Sequence, residues 1–137
     1  MGRKKQIIYA ILLVFMTVAP AMAGDFDGSQ PLIFAAIEIF ECSAGGACQR
    51  VTAESINLPQ FLRINFKEKT ISGTRGSGEV LATKILDMER FDGRLILQGM
   101  ENGRGWNMVI AEATGKVALT ASDDQVGFVA FGACTPQ

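Results

Sequence analysis

The chain predicts an all-β domain, a small antiparallel up-and-down β-barrel of about eight strands, and three observations carry that expectation. From residue 31 onward, short apolar runs alternate with turn signals every eight to twelve residues or so. No stretch there keeps a long 3.6-residue period, which an amphipathic helix would need. Successive runs are joined by short hairpins with no long crossover. A meander of that kind hides its edges by closing on itself. A two-sheet β-sandwich is the alternative packing of the same strands.

The elements follow in order. Residues 24–30 are polar and glycine-bearing and read as a flexible leader to a single domain at 31–137. Leu32 to Glu41 is rich in Ile and Phe, and Cys48 to Ala53 is shorter and more polar. Ser55 to Pro59 suits a helical turn across one end. Phe61 to Lys67 alternates cleanly, with Leu62, Ile64 and Phe66 on one face and Arg63, Asn65 and Lys67 on the other. A tight turn at Lys67-Glu68-Lys69 leads into Lys69 to Gly73. Glu79 to Arg90 carries Val80, Ala82, Leu86 and Met88 at even spacing. Asp92-Gly93 is the clearest hairpin signal, because the pair tolerates the positive φ angles of a type I′ turn. It joins that strand to Arg94–Met100. Glu101 to Gly105 turns the chain into Trp106–Glu112, with Trp106, Met108 and Ile110 on one face. Ala113-Thr114-Gly115 turns it into Lys116–Ser122, and Asp123-Asp124 into Val126–Gly132.

Ahead of the domain stand Arg3, Lys4 and Lys5, an apolar run of 13 residues from Ile7 to Ala19, Pro20, and Ala21-Met22-Ala23. That is a positive n-region, an h-region and an Ala-x-Ala cut site, a signal peptide over 1–23. A spanning helix needs about 20 apolar residues, which this run does not reach. Residue 24 is Gly, not Cys, which disfavours a lipid anchor. The expectation is a soluble protein, periplasmic or secreted, with no stable membrane anchor after cleavage.

Cleavage leaves 114 residues, enough for one domain with one core. Three of the 13 basic residues depart with the leader, so the mature balance is 10 basic against 14 acidic, a net charge of −4. That disfavours nucleic acid, whose phosphates demand a basic face. The chain has no histidine. The usual general base, the Ser-His and Cys-His nucleophile pairs and most zinc and copper sites go with it. The expectation is no enzyme, no metal and no cofactor.

Three cysteines, Cys42, Cys48 and Cys134, make an odd number in a compartment where pairing is expected. Two glycines in the loop between Cys42 and Cys48 let the two Cα atoms approach within disulfide range. That pair is favoured as a clamp on a hairpin end, leaving Cys134 as a free thiol. The alternative ties one of the first two to Cys134.

Among surfaces, Glu101, Asn102, Arg104 and Trp106 gather a carboxylate, an amide, a guanidinium and the chain's only Trp on one turn. Arg and Trp are the types that most often anchor interfaces, so this is the candidate binding rim. The bland reading has Trp106 plugging a barrel end and Arg104 lying across it. Arg63, Asn65 and Lys67 could accept an anion but read first as a solvated face. Arg75-Gly76-Ser77-Gly78 precedes a strand rather than a helix, so it reads as a hairpin loop and not a phosphate cradle. Asp87, Glu89 and Asp92, and Asp123 with Asp124, lack calcium-loop spacing and read as solvated turn residues. Eight Phe and one Trp in the mature chain argue for a filled barrel interior.

Leu58-Pro59-Gln60-Phe61-Leu62-Arg63-Ile64-Asn65-Phe66, Lys69-Thr70-Ile71, Leu97-Gln98-Gly99, Gly103-Arg104-Gly105-Trp106 and Phe131-Gly132-Ala133-Cys134-Thr135 resemble a family of small secreted bacterial proteins of unassigned function. The resemblance covers nearly all of the mature chain. It implies a lipocalin-like barrel and no activity. Members of that family carry one more cysteine near position 34, where this chain has Phe34. If the first and last strands are neighbours, that cysteine would face Cys134, and its loss fits a free Cys134.

The function expected from all this is a non-catalytic binding or accessory protein of the cell envelope, with an unknown envelope protein as partner. The alternatives are a carrier of a small apolar ligand inside the barrel and, by analogy of size and shape, an inhibitor of a cell-wall hydrolase.

Overall fold

The computed structural model describes residues 25–137. The signal segment and its helix, expected at 1–23, lie outside them. The described strands are β1 (Leu32–Ser43), β2 (Cys48–Val51), β3 (Phe61–Asn65), β4 (Thr70–Thr74), β5 (Val80–Phe91), β6 (Arg94–Glu101), β7 (Arg104–Ala111), β8 (Lys116–Ser122) and β9 (Val126–Pro136). A 3₁₀ turn at Glu54–Ile56 stands where the helical turn was expected.

The strands form a closed antiparallel barrel, not a sandwich. Each of β3 to β9 pairs with its sequence neighbour, and β9 pairs back to β1 along its length, from Leu32 opposite Pro136 to Ser43 opposite Val126. On its other edge β1 is shared. Residues Leu32 to Ala35 pair with β3, and Ile39 to Cys42 pair with β2. Eight strands therefore close the barrel and β2 is an extra one. The register against β9 shifts between Ala36 and Glu38, a bulge at Ile37 where β1 changes partner.

Alternation puts the core inside. Leu62, Ile64 and Phe66, then Trp106, Met108 and Ile110, are buried as their spacing requires. Strand β5 differs from a reading in which its evenly spaced apolar set faces inward. Val80, Leu86 and Met88 are exposed, whereas Thr83 and Ile85 are buried. Thr83 is registered with buried Ile71, and that pairing selects the odd face. The register of β5 against β6 also shifts between Ile85 and Asp87.

The turns obey local chemistry. Asp92 and Gly93 have φ of 48° and 71°, and Asn102 and Gly103 have 49° and 78°, so both hairpins turn on two residues of positive φ. Cys42 faces Cys48 across β1 and β2 and is disulfide-bonded to it, with a Cα–Cα distance of 4.1 Å. Cys134 is free and buried, and the residue opposite it on β1 is Phe34.

The two barrel ends are unlike. At one end the residues read as a flexible leader lie against the barrel. Phe26 packs on the core, Gly28 sits against Leu95 and Phe66, and Arg90 donates a hydrogen bond to the carbonyl of Asp27. Gln137 N–H donates to the Pro31 carbonyl beside them. The other end, where β6 hands over to β7 and β8 to β9, holds the candidate site.

Candidate functional site

Glu101, Asn102, Arg104 and Trp106 meet at this second end because the two-residue turn folds β6 directly onto β7, with Glu101 registered against Arg104 and Gly99 against Trp106. The missing side chain at Gly99 is what seats the indole. A Cβ there would come within 2.3 Å of Trp106 Cζ2 and 2.5 Å of the Lys84 carbonyl. Trp106 is only 8% exposed. Its Nε1–H donates to Thr83 Oγ1 at 3.1 Å, and that hydroxyl donates onward to the Met100 carbonyl at 3.1 Å. Burying an indole N–H is costly unless it is paired, and this chain of two hydrogen bonds supplies the pairing.

Above Trp106 the barrel is not filled. A cavity of about 170 Å³ opens at this end. Its wall is mainly apolar, with Ile39, Leu62, Ile71, Met108, Leu119 and Phe128 among the lining, and its rim carries Arg75, Arg104, Glu101, Asn102 and Asn57. The expectation of a filled interior fails at this end because the aromatics are divided between the two surfaces. Phe34 and Phe66 are buried, whereas Phe61, Phe91 and Phe131 stand on the outside at 59%, 73% and 46% exposure.

Arg104 is held from two sides. Its Nε donates to Asp123 Oδ2 at 3.0 Å, and its guanidinium carbon lies 5.4 Å from the centroid of the Phe128 ring. Asp123 is itself fixed, its Oδ1 accepting the backbone N–H groups of Gln125 and Val126 at 2.8 Å each. Those two backbone donors, and then Arg104, hold the Asp123 carboxyl below its ordinary pKa. Arg75 is tied to Glu79 at 2.8 Å and donates to the Asn57 carbonyl at 3.0 Å. Asn57 adopts the left-handed conformation, φ 53°, that closes the 3₁₀ turn.

Three of these residues escape a reading along the chain. Asp123 reads as a solvated turn residue, yet it orients Arg104. Arg75 reads as part of a hairpin loop, yet its side chain is only 16% exposed and turns to the cavity. Asn57 carries no local signal beyond its place before Leu-Pro. The other candidates lie elsewhere. Arg63 bonds the Gln137 side chain, Asn65 Oδ1 accepts the Glu68 N–H of its own turn, and Lys67 is exposed. Asp92 pairs with Arg94, and Asp87 accepts a bond from the next backbone N–H. The Cys42–Cys48 bridge clamps β2 to β1. Burial without a compensating partner pushes the Cys134 thiol up to about 12.

Among the described residues no group of three or more His, Cys, Asp or Glu side chains gathers to hold a metal ion. The cavity lining offers apolar surface, one hydroxyl, two amides, two guanidinium groups and one carboxylate. That set can enclose an apolar group and hydrogen-bond a polar end. No family model matches the chain, and neither does any curated protein or solved structure.

Proposed function

We propose that this chain is a non-catalytic binding module of an extracytoplasmic compartment, lipocalin-like in plan, that takes an apolar group of its partner into the barrel mouth. The observation that carries this reading is an apolar cavity of about 170 Å³ lined by the buried Trp106, with Glu101, Asn102 and Arg104 at its rim. Size decides what enters. An apolar cavity of about 150 Å³ accepts one benzene ring, whereas sites that enclose a drug-sized ligand run from about 300 to 1,000 Å³. One aromatic ring, or a branched side chain of similar bulk, is the natural guest. This favours anchoring an exposed group of an envelope protein over carrying a large lipid. A carrier role is supported only for a ligand of about ring size. The leader of 1–23 and the Cys42–Cys48 disulfide support the compartment. The absence of histidine, and a lining with a single carboxylate, support a binding role over catalysis.

Titration of isotopically labelled protein with toluene, followed by nuclear magnetic resonance, tests the reading. The Trp106 indole N–H should shift. In Ala121→Phe, which fills the cavity from β8, the shift should vanish. No shift in the unaltered protein would refute the mouth as a binding site.

A further inference from the structure

We infer that the mouth selects an anion, a carboxylate borne on a compact apolar body, with the body in the cavity and the carboxylate on the terminal amino groups of Arg104. This deepens the mouth reading above and rests on it. The argument is one of preorganisation. Arg104 spends only its Nε on Asp123, at 3.0 Å. Its face is held over Phe128 at 5.4 Å. Asp123 cannot swing away, because two backbone N–H groups hold its other oxygen at 2.8 Å. A guanidinium fixed in this way keeps both terminal NH₂ groups for a ligand, in the fork that matches a carboxylate. Little side-chain freedom is left to lose on binding.

The other polar groups of the lining leave that fork free. Arg75 supplies a second guanidinium, and its Nε and Nη1 are occupied by the Asn57 carbonyl and Glu79. Glu101 is the single carboxylate of the lining and makes no ion pair with Arg104, although the two are registered across the hairpin end. Asp123 and Glu79 offset the two guanidinium charges, so the preference for a carboxylate rests on the unspent fork of Arg104 and not on a net positive lining. An apolar body of one ring with a carboxylate at its end describes both a free aryl acid and the terminal residue of a chain that ends in Phe.

Trp106 is the only Trp of the chain and lines the cavity, so its fluorescence reports occupancy. The probes are 3-phenylpropanoate, its neutral amide, its amine analogue, and a short peptide ending in Phe with a free or an amidated terminus. The acid should bind at least tenfold more tightly than the amide, and the amine more weakly than either. In Arg104→Gln the acid and amide should come within about twofold. Arg104→Lys keeps the charge but loses the fork, and should retain only part of the preference. A free-terminus peptide that binds more tightly than the free acid supports a chain end as the source, and the reverse order supports a small metabolite. Equal affinity for acid and amide in the unaltered protein, or a preference for the amine, overturns the inference while the mouth reading stands. No response to any probe overturns both. The comparison in the unaltered protein decides the matter even if a variant fails to fold.

Discussion

A cysteine placed at position 34 would stand directly across the barrel seam from Cys134. Phe34 and Cys134 are registered opposite one another on β1 and β9, and both point inward, at 1% and 4% exposure. Cys134 sends its N–H to the Gly115 carbonyl on the other side of its strand. The pair with Phe34 is therefore a non-hydrogen-bonded one, whose Cα atoms lie about 4.5 Å apart. That is within the range a disulfide spans, and Cys42 and Cys48 are bridged at 4.1 Å. Two opposing magnitudes set the outcome. Removing the phenyl ring, which lies over Gly132 and would meet a Cβ there at 2.7 Å, costs about 3–5 kcal/mol. Cross-linking a loop of about 100 residues restrains the unfolded chain by about 4.7 kcal/mol. Oxidised Phe34→Cys should then lie within about 2 kcal/mol of the natural protein. Phe34→Ala, which loses the ring and gains no bridge, should fall about 3–5 kcal/mol below it. The check is urea unfolding of both variants, with thiols counted by alkylation in denaturant and mass spectrometry. Phe34→Cys refolded under oxidising conditions should show no free thiol, against one in the natural protein. Two free thiols, or a gap of under about 1 kcal/mol between the variants, would refute the register argument.

Three other outcomes follow from the same structure. Gly99→Ala should destabilise by about 1–3 kcal/mol through overpacking and shift Trp106 emission to the red, because the indole must leave its seat; unchanged emission and midpoint would contradict that seat. The Cys134 thiol, buried and pushed up to about 12, should resist iodoacetamide at pH 8 in the native protein and react at once in denaturant; equal rates in both states would show that it is accessible. The Asp123 carboxyl, lowered from an ordinary 3.8 by two backbone N–H groups and Arg104, favours the folded state above that value. Below it the unfolded chain takes up the proton first, so this contribution is lost as pH falls through the lowered native value. Asp123→Asn should therefore flatten the acid side of the melting temperature against pH, and a slope equal to that of the natural protein would count against the assignment.

How far the chain could be read depended on how local each feature is. The Asp92-Gly93 hairpin turns on positive φ at both residues, as a two-residue type I′ turn requires, and needs no distant partner. The Cys42–Cys48 bridge spans six positions across one hairpin, so glycine freedom and spacing were enough to find it. Strand β5 resisted because it carries apolar residues on both parities. Period-two alternation says that two faces exist and not which one is inside. Only the pairing of Thr83 with Ile71 settles that. The leader at 24–30 looked free because its polar residues carry no pattern. Phe26 nonetheless finds Gly115, where a Cβ would come within 2.6 Å of its ring.

The candidate rim divides the same way. Its four residues were visible because they sit within six positions of one turn, and their chemistry is unusual for such a short span. What makes them a site was not visible. Asp123 orients Arg104 from the next hairpin but one, Arg75 arrives from the β4–β5 loop, and Asn57 arrives from the turn before β3. Taken alone, the amino-acid order determined the strands, their turns and the short disulfide, all of which follow from alternation and from backbone angles within a few residues, and it left a closed barrel and a two-sheet sandwich both open. Tertiary structure alone decided that β9 closes on β1, which parity of β5 faces inward, that three of the nine described aromatics stand exposed, and that a ring-sized hollow remains under Arg104. The last three depend on that closure, which brings distant residues into contact through pairing registers that no local pattern encodes.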